Sequence, residues 1–88
     1  MQVITITDIL NKTGSEITMD DLIYCFEKVR GQGDVGFIKL DGERKENQYT
    51  VCIMFPGIKE EMIRADESTL KEALLKVLSK YVDVKKGI

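Results

Sequence analysis

The run Gln48 to Phe55, Gln-Tyr-Thr-Val-Cys-Ile-Met-Phe, is the one stretch of eight residues in this chain with almost no polar interruption. Tyr49, Val51, Ile53 and Phe55 recur at the strand period of two. Thr50, Cys52 and Met54 fall on the opposite side, and two of those three are also apolar. A half-solvated strand alternates apolar with polar residues. This one does not, so it is expected at the centre of a small sheet with apolar material against both faces. What meets the second face is the functional question that the pattern raises.

The surrounding segments supply the rest of such a sheet and its cover. Thr18 and Asp21 have capping-box spacing, and Asp20 with Asp21 places negative charge at the positive end of a helix dipole. Met19, Leu22, Ile23, Phe26 and Val29 then form one apolar stripe, closed by Gly31 and Gly33, which predicts a helix over 18–30. Val35 to Leu40 is a strand candidate. Asp41-Gly42 opens a polar loop through Asn47 that returns the chain into the central run, making an antiparallel hairpin. Pro56-Gly57 matches a type II turn. Glu61 to Ala65 is expected as a short edge strand whose charges discourage aggregation. Thr69 and Glu72 make a second capping box, and Leu70, Ala73, Leu74, Val77, Leu78 and Tyr81 continue as an unbroken helical stripe.

The ends are less regular. Val3, Ile4 and Ile6 among threonines suit a short strand. Thr7 or Asp8 alternatively caps a short helix closed by Gly14, so residues 1–17 are an arm, helical or irregular. Residues 83–88 are expected as a frayed basic tail.

The fold class is therefore α+β in one domain: helix, three-stranded antiparallel meander, helix, with both helices on one sheet face. Over roughly 18–81 this order resembles that of double-stranded RNA-binding domains. In that family the second helix opens with a lysine-rich segment that grips phosphates. The matching segment here, Asp66-Glu67-Ser68-Thr69-Leu70-Lys71-Glu72, is acidic and would repel them. The first helix and hairpin similarly resemble a winged-helix domain, with Arg44 and Lys45 at the hairpin tip as candidate phosphate contacts. Glu43 and Glu46 flank that pair, and thirteen basic against fifteen acidic residues leave a net charge of -2, not the basic footprint of a nucleic-acid binder.

Several chemistries lack their residues. The chain contains no histidine, which removes the commonest general base and metal ligand. Cys25 and Cys52 have no Cys-x-x-Cys partner and sit between apolar neighbours, the setting of inert core thiols. Asp20-Asp21 and Glu60-Glu61 lack calcium-loop spacing and suit a helix cap and a solvated turn. Gly31, Gly33 and Gly36 follow a helix and precede a strand, the reverse of a phosphate-cradling loop. No catalytic residue, metal or cofactor is expected.

No apolar run reaches the length of a membrane span, and the N-terminus lacks a signal-peptide pattern, so a cytoplasmic location is expected. If Tyr49, Val51, Ile53 and Phe55 face the helices, Cys52 and Met54 face away. Phe37 and Met62 then join them on an apolar surface of the kind that binds other chains. The alternative is that the N-terminal arm folds over this face and closes it. The expected function is a non-catalytic module that binds another protein or a second copy of itself, as an inhibitor, adaptor or regulator. Size and composition of this kind are common among phage and mobile-element proteins. The second expectation is a nucleic-acid module using the 41–47 loop and the basic tail.

Overall fold

A computed structural model describes residues 2–12, 15–58 and 61–87, with side chains from Ile6 onward. The elements are α1 (Gln2–Leu10), α2 (Met19–Gly31), β1 (Val35–Leu40), β2 (Tyr49–Met54), β3 (Ile63–Glu67) and α3 (Leu70–Lys86). The strands form an antiparallel meander in the order β1-β2-β3, so the apolar run is the central strand. Helices α2 and α3 lie on one sheet face, α2 against β1 and α3 against β2 and β3. From α2 onward this is the αβββα architecture that the spacing predicts.

The caps form where the sequence places them. Thr18 Oγ1 accepts from Asp21 N–H at 3.1 Å while Asp21 Oδ2 accepts from Thr18 N–H at 3.0 Å, completing the capping box. Thr69 Oγ1 accepts from Glu72 N–H at 3.1 Å at the start of α3, but the capping box expected there is not completed, because Glu72 Oε1 takes the Thr69 hydroxyl at 3.2 Å rather than the Thr69 N–H. Gly33, at φ 86°, takes the left-handed conformation that turns the chain out of α2 toward β1.

Three expectations change. The arm is a helix from Gln2, not a segment starting near Thr7, and it packs on α2 and α3 rather than over the sheet. Its β-branched residues disfavour helix only weakly, and full burial of Ile6 among the helices outweighs that preference. The Gly14 stop and half of the Glu60-Glu61 turn lie outside the described residues. Residues 83–86 are the last turn of α3 rather than a tail, because Val82 is buried and Lys85 is drawn to a buried carboxylate. The third strand runs over 63–67, two residues later than predicted. Asp66 and Glu67 can belong to it because each has a partner, as described below.

The turn after β2 differs as well. Ile58 N–H donates to Phe55 O, enclosing Pro56 and Gly57, but Gly57 does not have positive φ. The turn is therefore not type II.

The core lies between the sheet and the helices. Val51, Ile53 and Phe55 from β2 and its exit meet Ile63 and Ala65 from β3 and Ala73, Leu74, Val77, Leu78 and Tyr81 from α3. Leu22, Cys25 and Val29 come from α2. Gly36 has no side chain because the Phe26 ring occupies that space; an added Cβ would stand 2.6 Å from Phe26 Cζ. At the rim, Tyr81 Oη donates to Asp34 Oδ2 at 2.7 Å, and Lys85 Nζ pairs with the same oxygen at 2.7 Å. The Tyr81 ring stacks on Phe55 at 5.8 Å. Burial foremost, then the bond to Asp34, holds the Tyr81 hydroxyl far above its ordinary pKa.

Candidate functional site

Directly opposed residues in an antiparallel pair share a face. The register Gly36↔Ile53, Ile38↔Val51, Ile53↔Ile63 and Val51↔Ala65 defines the helix-covered side. Val35↔Met54, Phe37↔Cys52, Lys39↔Thr50, Cys52↔Arg64 and Thr50↔Asp66 define the other. None of the described helices packs on that second side; α1, the one element the sequence offered to close it, lies on the helices.

The open face has two halves. One is apolar. Val35, Phe37, Met54 and Met62 are 43–48% exposed, and Val35, Met54 and Met62 line a depression of about 210 Å³ with Phe55 and Pro56. Cys52 stands among them yet is only 2% exposed, between its cross-strand neighbours Phe37 and Arg64. Desolvation raises its thiol pKa, and burial raises that of Cys25 to about 11. Both thiols are thereby kept protonated and poorly nucleophilic near neutral pH.

The other half is polar and centred on Asp66. Its carboxylate accepts from Arg64 Nε at 3.0 Å, Arg64 Nη2 at 3.1 Å, Arg44 Nη1 at 2.9 Å and the Thr50 hydroxyl. These donors, Arg64 foremost, then Thr50 and Arg44, hold the Asp66 carboxyl well below the usual carboxylate range. Arg44 also donates to Asn47 O at 3.1 Å and lies 3.4 Å from Asp41, which pairs with Lys39 at 3.4 Å. Gln48 Nε2 donates to Arg44 O at 2.6 Å. The hairpin loop is thus tied down onto β3. Glu67, on the helix side, takes Lys76 Nζ at 2.8 Å.

The structure therefore brings Phe37, Cys52, Met54 and Met62 to one surface, with Cys52 recessed. Arg44 lies at the rim of that same surface with its guanidinium engaged by two carboxylates, while Lys45 is exposed in the loop. Sequence reasoning missed the Asp66 cluster. Asp66 sits two residues after Arg64 at the strand period, which was its one visible trace. Among the described residues, no group of three or more cysteine or carboxylate side chains is placed to hold a metal ion, and no helix is long and apolar enough to cross a membrane. Comparison with family models, characterised proteins and solved structures finds no match for this chain.

Proposed function

We propose that this protein is a non-catalytic binding module whose working surface is the open face of its sheet. One observation carries the reading: Val35, Phe37 and Met54 stand exposed on the face opposite the helices, and exposed Met62 lines the depression beside Val35 and Met54. Isolated exposed apolar residues are ordinary, but a contiguous group on one face of a small domain marks a contact surface. Methionines at two of the four positions suit adaptable packing. The adjoining polar half offers fixed donors on a rigid sheet. Lys39, Arg44, Lys45 and Arg64 against Asp41, Glu43, Glu46 and Asp66 leave it without net charge. The partner that fits is a protein surface with an apolar centre and a polar, mixed-charge margin.

Nucleic acid has less support as a partner. Arg44 is already engaged by carboxylates, and Lys85, from the basic C-terminal segment, is paired with Asp34.

The test is affinity enrichment with the wild-type chain and with Met54→Asp, followed by binding measurements on the purified partner. Met54 is exposed, so the variant is expected to keep its circular dichroism and melting behaviour. Its affinity is expected to fall at least about tenfold, the effect of placing one charge in an apolar contact. Partners retained equally by both proteins would overturn the proposal. Binding to DNA or RNA that weakens steeply with salt would favour the other partner class.

A further inference from the structure

The strand β1 is unlike the other edge of the sheet. Four of the nine large apolar side chains exposed among the described residues belong to it: Val35 and Phe37 on the open face, Ile38 and Leu40 on the helix side. Leu40, at 66%, is the most exposed of all nine. The opposite edge strand carries Arg64, Asp66 and Glu67, the kind of charge that discourages edge pairing. Along β1 the only charge is Lys39, and Asp41 neutralises it.

The backbone of β1 is equally unprotected. Its register with β2 continues one step to Asp41 and Gln48, where Asp41 N–H donates to Gln48 O at 2.8 Å. Hydrogen-bonded pairs alternate along an antiparallel ladder. Val35, Phe37 and Lys39 therefore turn their backbone groups toward β2. Gly36, Ile38 and Leu40 turn theirs outward, beyond the last strand of the sheet.

We infer that a second copy of this chain occupies this edge, β1 against β1, antiparallel about a two-fold axis at Ile38. This register pairs Ile38 with its own copy and Gly36 with Leu40 of the second copy, in both directions. Every outward N–H and C=O of those three residues then finds a partner. On the helix side, Leu40 of the second copy falls opposite Gly36, beside a depression of about 180 Å³ lined by Ile23, Phe26, Glu27, Arg30 and Gly36. The most exposed leucine of one copy thus falls beside the Phe26 ring that stands over Gly36 in the other. On the open face, Lys39 stands opposite a Phe37 ring and Asp41 opposite Val35, with no like charges directly opposed. An isologous contact of this kind is closed, so it ends at two copies. The product is a six-stranded sheet with both open faces on the same side. The inference does not rest on the proposed partner-binding role of that face.

Light scattering or sedimentation equilibrium on the full chain tests it. Wild type is expected at twice its 10.0 kDa mass at tens of micromolar, about the range in which modest interfaces populate. Ile38→Pro removes an outward N–H without removing a β1–β2 bond, and Leu40→Lys places a charge at the contact. Both are expected to be folded monomers, while Met54→Asp remains a dimer. Should Ile38→Pro fail to fold, Leu40→Lys decides alone, because Leu40 contributes little to the core. A wild type that stays at the 10.0 kDa monomer mass at all concentrations overturns the inference, as does a dimer that survives both edge variants. A dimer lost only in Met54→Asp also overturns it and assigns self-association to the open face.

Discussion

Asp66 shows how much one residue can organise on the sheet face that the helices leave open. It gathers a threonine from β2 and arginines from β3 and the hairpin loop, so it joins all three segments at the surface. Because its folded pKa is depressed, its contribution to stability is complete above the unfolded-state value of about 3.9. That contribution fades as pH falls below this value, toward the folded one. Asp66→Asn is expected to reduce stability at pH 7 by about 1 kcal/mol, since the group is partly exposed and screened. The same variant should lose less stability than wild type between pH 5 and 2. Urea titrations at several pH values check both. Some acid sensitivity remains in the variant, because Asp21 and Asp41 are also depressed, each foremost by a backbone N–H, from Thr18 and Glu43 respectively. Local pairings such as Thr18 with Asp21 were legible because capping depends on spacing within one turn. Asp66 was not, because its donors come from positions as far away as Arg44, and an acidic residue just before a helix looks like part of that helix's leader.

At the level of elements, the seating of α2 on β1 depends on an absence. The Phe26 ring lies where a side chain at position 36 would stand. Gly36→Val is expected to push the ring aside and destabilise the fold by about 1–3 kcal/mol, the usual effect of overpacking. Gly36→Ala should do so by less, because the ring is only half-buried and can shift. Denaturant unfolding with an unchanged m-value checks this, and equal stability of all three proteins would sink it. The helices over 18–30 and from Thr69, and the hairpin between β1 and β2, were readable from periodicity and turn chemistry. The α1 helix was not: Val3, Ile4, Thr5, Ile6 and Thr7 carry strand propensity, and only packing against α2 and α3 decides otherwise. Packing of α3 on β2 and β3, and of α2 on β1, settles which side of β2 is core, since no local pattern distinguishes the Val51 side from the Cys52 side.

Across the whole molecule, Asp34 is the point where distant parts of the chain are fastened together. Tyr81, 47 residues away, and Lys85 both reach its carboxylate, at the residue that leads into the exposed edge strand. Lys85→Ala is expected to cost about 3 kcal/mol by leaving a buried carboxylate short of its cation, a large part of the stability of a small domain. Thermal melts should show the loss, whereas Lys86→Ala, at an exposed site, should melt like wild type. A cluster of lysines after a helical stripe looks like a solvated tail, and nothing near Lys85 in sequence announces Asp34. This fastening also has a consequence for how the protein is made. During synthesis the strand most open to mispairing leaves the ribosome well before the residues that anchor its start. Until Tyr81 and Lys85 follow, β1 is an apolar edge without its tether, so neighbouring nascent chains on one messenger are where its mispairing is most exposed.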